Sequence, residues 1–160
     1  MSMLLTGALA LAGLSGCERR STPSYSHFEE IPASGWDPLD VLTFEPVPYD
    51  STESRRTNYA VTLVIRYTSR HKIPPLPIAV TIEDCNGPIK TDTITVDTES
   101  RDSLTQRATR YGITELHLPL CSNVAITEGC NIRLESFREK TSTLGLLNVG
   151  LVMEPAPSKN

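Results

Sequence analysis

The sequence predicts an all-β protein: an antiparallel β-sandwich of about seven strands, Ig-like or jelly-roll-like. Three observations predict it. Apolar residues alternate with period two in segment after segment between Leu42 and Met153. No window of about 12 residues after residue 17 carries the apolar stripe of a 3.6-residue helix. Twelve prolines, with clusters of Gly, Asn and Asp, punctuate the chain into short pieces. Strands without intervening helices pair antiparallel, and a sheet with one apolar face needs a second sheet to cover it.

The elements follow in order. Leu42 and Phe44 share a face of a short strand. Tyr59, Val61, Leu63, Ile65 and Tyr67 form the clearest strand, with Thr62, Arg66 and Thr68 opposite. Leu76, Ile78, Val80 and Ile82 alternate with Pro77, Ala79, Thr81 and Glu83. Pro77 has no N–H to give a ladder, so it marks an edge strand or shifts the strand's start. Ile94 and Val96 end a β-branched segment from Thr91. Leu116, Leu118 and Leu120 alternate with Glu115, His117 and Pro119. Ile132 and Leu134 follow, and Leu147, Val149, Leu151 and Met153 make the last strand. Asp97 to Gly112 is polar and aperiodic, which predicts a long loop with room for a short helix. Trp36, between Gly35 and the Asp37-Pro38 turn signal, is expected to be partly buried.

Ahead of this domain the chain opens on an uncharged apolar run, Met3 to Leu14, ending in Leu14-Ser15-Gly16-Cys17 and then Glu18-Arg19-Arg20. Roughly 12 residues at about 1.5 Å rise reach about 18 Å, short of a ~30 Å hydrocarbon core. A run of this length fits a signal-peptide h-region better than a membrane span. Small residues at Ser15 and Gly16 let an extended chain enter a peptidase groove, and Cys17 supplies a thiol for acylation. The Leu-small-Gly-Cys pattern resembles the bacterial lipobox. The expected organisation is a lipoprotein signal peptide over 1–16, a lipidated tether over 17–27, a β-sandwich over 28–154 and a flexible tail over 155–160. One acyl chain at ~0.8 kcal/mol per buried methylene holds only marginally, whereas the two or three palmitate-class chains typical of a lipoprotein hold permanently. The tether Glu18–Ser24 reaches at most roughly 23 Å at ~3.3 Å per residue. Such attachment places the protein in the cell envelope, and the expected location there is the outer membrane, facing the periplasm, although Glu18 after Cys17 does not itself choose between inner and outer membrane.

A formal net charge of −4 argues against nucleic acid as a partner, because phosphate backbones call for a basic face. It also leaves no polybasic patch for anionic lipid. Export implies an oxidising compartment, where Cys85, Cys121 and Cys130 allow one internal disulfide and one remaining thiol. Cys121 with Cys130, flanking an eight-residue hairpin loop, is the expected pair, with Cys85 able to replace either.

Catalytic motifs are missing: there is no nucleophile elbow, phosphate-cradling glycine loop or HExxH. His27, His71 and His117 lack a partner pattern. His117 and Cys121 fall on one strand face with Cys130 in reach, but a structural zinc site wants four such ligands. Asp92, Asp97 and Asp102 lack the rhythm of a calcium loop. Glu83-Asp84 has no second carboxylate at a readable spacing. Arg55-Arg56 reads as solvated surface. Neither metal nor cofactor is expected, nor an enzyme.

The most unusual stretch runs from Phe137-Arg138 to Leu151, with Leu144-Gly145-Leu146 and Asn148-Val149-Gly150-Leu151. Gly145 and Gly150 predict a tight turn or bulge and a close backbone approach. Phe137 and Arg138 are residue types that carry hot spots. Together with the lipobox, Phe28, Gly35-Trp36, Ile65-Arg66, Asp92-Thr93-Ile94 and Gly129, this order and spacing resembles the GldH-type gliding-motility lipoproteins. The resemblance spans about residues 25 to 153. It departs from the family's Met-Arg at Phe137-Arg138, its aromatic at Cys130 and its Pro at Leu144. What it implies is a non-enzymatic envelope lipoprotein that works with motility or type IX secretion proteins. Phe137, Arg138, Leu144, Gly145, Leu146 and Asn148 are then the expected partner-binding residues. The alternative reading is a glycan- or ligand-binding sandwich, whose mark would be exposed rings on one sheet face.

Overall fold

The alternation becomes two stacked antiparallel sheets. The computed structural model describes residues 25–46, 57–100, 102 and 104–156. Cys17, the signal peptide, the tether through Ser24, Arg55-Arg56 and the last four residues lie outside the described residues. The strands are β1 (Tyr25–Glu30), β2 (Leu42–Phe44), β3 (Thr57–Thr68), β4 (Leu76–Asp84), β5 (Gly87–Val96), β6 (Gln106–Arg110), β7 (Ile113–Ile126), β8 (Asn131–Ser136) and β9 (Leu146–Pro155). One sheet runs β1-β9-β3-β7-β6 and the other β2-β8-β4-β5. Every pair is antiparallel.

Period-two alternation decides what fills the space between the sheets. Leu76, Ile78, Val80 and Ile82 of β4 are buried while Pro77, Ala79 and Thr81 are partly exposed, and β8 alternates in the same way. Val61, Leu63 and Ile65 of β3 meet Val149, Leu151 and Met153 of β9 in the same core. Each such fully buried aliphatic side chain contributes about 1.5–3 kcal/mol. Trp36 is more deeply placed than expected: it is 1% exposed, and its Nε1 donates to the Asp40 carbonyl at 2.9 Å.

Two strands exceed the expected seven. β6, inside the segment expected to be a loop, is exposed at all five residues, so no apolar period announces it. β1 starts at Tyr25, so Tyr25–His27 belong to the sheet and not to the tether. Among the described residues the one helical turn, a 3-10 turn over Lys140–Thr143, lies between β8 and β9 and not in the 97–112 segment. Pro77 also corrects an expectation, since β4 is an inner strand flanked by β5 and β8. The proline is tolerated because it lies one step past Ile78–Ser136, the last β4–β8 pair; there its carbonyl still accepts from Phe137 N at 3.2 Å.

Register defines two ends. Tyr25 opposite Met153, Thr57 opposite Ile126 and Asp84 opposite Gly87 stand at the proximal end. Glu30 opposite Asn148, Thr68 opposite Ile113, Leu76 opposite Val96 and Leu42 opposite Leu134 stand at the distal end. The connections 31–41, 69–75, 111–112 and 137–145 all lie at the distal end, and 97–105 starts from it.

Candidate functional site at the distal end

The β8–β9 connection is locked to its neighbours by small residues and one hydroxyl. Gly35 has φ +98°, and a Cβ there would lie 2.0 Å from the Lys140 carbonyl oxygen, so only glycine fits. The buried Thr143 hydroxyl accepts from Trp36 N at 2.7 Å and donates to the Lys140 carbonyl at 2.7 Å. Lys140 Nζ lies 3.6 Å from the Asp37 carboxylate. Gly145, at φ +86°, packs against His71, whose Cβ would be 2.5 Å from an added methyl, and its carbonyl accepts from Thr68 N at 2.8 Å.

This lock separates the six expected contact residues. Arg138 Nε donates to the Pro75 carbonyl at 2.9 Å, fastening two connections together. Leu146 is buried in the core. Asn148 stands on the outer face of the larger sheet, between Glu30 and Arg66 in register. Phe137 and Leu144 remain open to solvent, at 60% and 42% exposure. Leu39, Val41, Tyr111 and Ile113 join them there, so six of the eight large apolar side chains exposed among the described residues share the distal end.

The outer face of the larger sheet holds a second cluster. The Arg66 guanidinium lies 4.0 Å from the centre of the Phe28 ring, and its Nε donates to Glu115 at 2.5 Å. His117 Nε2 is 2.6 Å from the other Glu115 oxygen. Burial works against the Glu115 charge, but the hydrogen bonds from Arg66 and His117 outweigh it and hold the carboxyl below its usual range. Val64, between Gly150 and His117 in register, is fully buried on this outward face.

Some of the residues that carry the resemblance therefore converge, Phe28 with Arg66 and Gly150, and Gly35-Trp36 with Thr143, whereas Asp92-Thr93 stay exposed on β5 and Gly129 touches none of them. The converging residues shape the fold more than they present a surface. Comparison with protein-family models and with curated proteins returns no match.

The expected disulfide is not formed. Cys85, Cys121 and Cys130 are free thiols. Cys121 is no loop flank: β7 continues through Ile126, carrying the chain about 16 Å further at ~3.3 Å per residue. Cystine geometry needs Cα atoms within about 7 Å. A bulge at Leu120, where Thr62 faces Pro119 and Val61 faces Cys121, also turns the Cys121 thiol toward the core and away from the face of His117. Burial raises the pKa of both Cys121 and Cys130. Among the described residues, no three His, Cys, Asp or Glu groups approach closely enough to hold a metal ion. The acidic groups weighed in the sequence serve the backbone or an ion pair: Asp84, Asp92, Asp97 and Asp102 accept from nearby N–H groups, and Glu83 faces Arg133.

One feature escaped the sequence reading. A polar cleft of about 580 Å³ opens at the distal end between the 69–72 and 98–99 segments and the side of β6. Arg70, His71, Lys72, Arg107 and Glu99 line it, over Tyr67 and Thr98. The run Arg70-His71-Lys72 was its available signal.

Proposed function

We propose that this chain is a lipid-anchored envelope protein, a non-enzymatic adaptor or structural component associated with gliding motility or type IX secretion, on the outer membrane facing the periplasm. The observation that carries the reading is positional. Cys17, with its lipobox-like context, precedes Tyr25 by a short polar segment, and Tyr25 enters the sheet at the proximal end. Strands of ten residues stand about 33 Å tall at ~3.3 Å per residue. An acyl group at Cys17 therefore holds the proximal end at the bilayer and turns the distal connections outward. Phe137, Arg138 and Leu144 are the resemblance-derived residues exposed on that outward end, and Phe137 and Leu144 are the apolar ones; exposed apolar groups gathered in one place mark interaction surfaces.

A glycan-binding sandwich would need exposed rings aligned on one sheet face. Tyr111 and Phe137 are the fully or largely exposed rings among the described residues, and they stand on separate connections.

The test combines fractionation with crosslinking in the native envelope. Wild type should stay with membranes and Cys17→Ser should become soluble; a soluble wild type bearing an unmodified thiol sinks the reading. Phe137→Asp should lower recovery of crosslinked envelope proteins while leaving the melting temperature unchanged. Unchanged recovery removes Phe137 from the interface.

A further inference from the structure

The distal cleft has a charge balance opposite to that of the chain. Arg70, Lys72 and Arg107 line it against the single carboxylate of Glu99, in a protein of formal net charge −4. Lys72 and Glu99 satisfy one another at 3.0 Å. Arg107 points one nitrogen, Nη2, at the Thr98 and Ser100 carbonyls, which holds the guanidinium in place and leaves its other donors unused. Among the described residues no carboxylate pairs with Arg70 or Arg107. A guanidinium held through one nitrogen keeps donors that can take a carboxylate by two parallel N–H bonds, and Arg70 lines the same cleft with a second positive charge.

The rim supplies the second half of the argument. Tyr111 closes the β6–β7 hairpin with φ +53°, a left-handed conformation rare for tyrosine, and its side chain is fully exposed. Its neighbour Gly112 accepts from Ser69 N at 2.8 Å, which sets the hairpin against the cleft-lining segment. A strained backbone that presents a fully exposed ring, next in sequence to the glycine bonded to the cleft-lining Ser69, is a feature that folding alone does not require.

We infer that this cleft recognises an acidic peptide segment of a partner protein, seating a carboxylate on Arg70 and Arg107 with an apolar side chain on Tyr111. A membrane surface is disfavoured as the occupant because the cleft stands at the end away from Tyr25. Nucleic acid would need a basic stripe far broader than one cleft. The inference names a partner chemistry within the adaptor reading, yet it can be tested without lipid attachment.

The experiment is titration of the full chain, purified in detergent and isotopically labelled, with hexaglutamate, hexalysine, inorganic phosphate and phosphatidylglycerol vesicles. Hexaglutamate should bind saturably, with shift changes confined to residues 69–72, 98–100, 107 and 111. Arg70→Glu should weaken it at least 10-fold, whereas Lys90→Glu, the same charge change far from the cleft, should leave it within twofold. Shifts scattered over all basic residues, equal weakening by both variants, tighter binding of phosphate than of hexaglutamate, or vesicle-induced shifts at residues 69–72 and 107 that Arg70→Glu abolishes would each overturn the inference. Failure of hexaglutamate to bind leaves the fractionation result for Cys17 untouched, so the two readings fail separately.

Discussion

Gly150 lies directly beneath Phe28: a Cβ added to Gly150 would stand 2.3 Å from Phe28 Cδ1 and 2.7 Å from the His27 carbonyl oxygen. The absence of a side chain on β9 lets the Phe28 ring lie across the strand and meet Arg66 on β3, which in turn reaches Glu115 on β7. One glycine thus permits a chain of contacts across four strands.

Gly150→Ala is expected to cost about 2–3 kcal/mol, in the range of overpacked sites. The ring could swing aside, but the His27 carbonyl belongs to the β1–β9 ladder and cannot. Urea melts of Gly150→Ala and of Gly150→Ala with Phe28→Ala decide the point. The double variant should recover only part of the loss, and full recovery would assign the clash to the ring alone.

Tyr111→Asn is expected to stabilise the fold by about 0.5–1 kcal/mol. Tyr111 and Gly112 both take positive φ, 53° and 80°, in the two-residue turn between Arg110 and Ile113. That is the turn geometry for which Asn-Gly is the favoured pair, and a non-glycine residue such as tyrosine pays about 1 kcal/mol or more to adopt it. With its side chain fully exposed, the ring has no packing to lose. An unchanged or lower melting temperature would show that the ring is held by contacts on the folded protein.

The fold was legible where burial is one-sided and hidden where it is not. The seven strands with alternating apolar residues could be read because their inward faces are continuous. β6 could not, since Gln106–Arg110 bury nothing, and β1 could not, since Tyr25 and Phe28 point to opposite sides of an edge strand. Cys121 shows a different failure: one extra residue at Leu120 reverses the parity at Cys121, and a second register shift between Val61 and Tyr59 restores it, so that Val124 and Ile126 face inward again. The close approach at Gly150 was readable from the glycine, but its partner, more than a hundred residues away, was not. The cleft was hidden because its polar residues come from two connections and from β6, stretches that individually read as solvated loop.

Acid should weaken the protein partly through Glu115. Its folded pKa lies below the ordinary carboxylate value, so its stabilisation is present above the unfolded pKa and lost as pH falls through the folded one. With Glu115 and Arg66 both partly exposed, the contribution is about 1 kcal/mol. Glu115→Gln should therefore be less stable than wild type by that amount at pH 7. The gap should narrow below about pH 4.5, where the unfolded carboxyl begins to protonate. A gap that stays constant down to pH 3 would mean that shape, and not charge, holds the cluster.

Three free thiols at graded depth predict a graded order of alkylation. Cys85 sits exposed in the β4–β5 turn, Cys121 is half-buried at the bulge, and Cys130 is buried before β8. Only the thiolate reacts, and burial lifts the pKa of Cys121 and Cys130, so both are less ionised at neutral pH than an ordinary cysteine. With iodoacetamide at pH 7.5, mass spectrometry should find Cys85 modified first and Cys121 slowly. Cys130 should be modified only at the rate of unfolding. Raising the pH should accelerate Cys121 beyond the point where an ordinary thiol levels off, because its thiolate population is still growing there. A reductant should leave the melting temperature unchanged. A reductant-dependent drop, or protection of Cys121 and Cys130 together in denaturant, would mean that they are joined after all and that β7 departs from the register described.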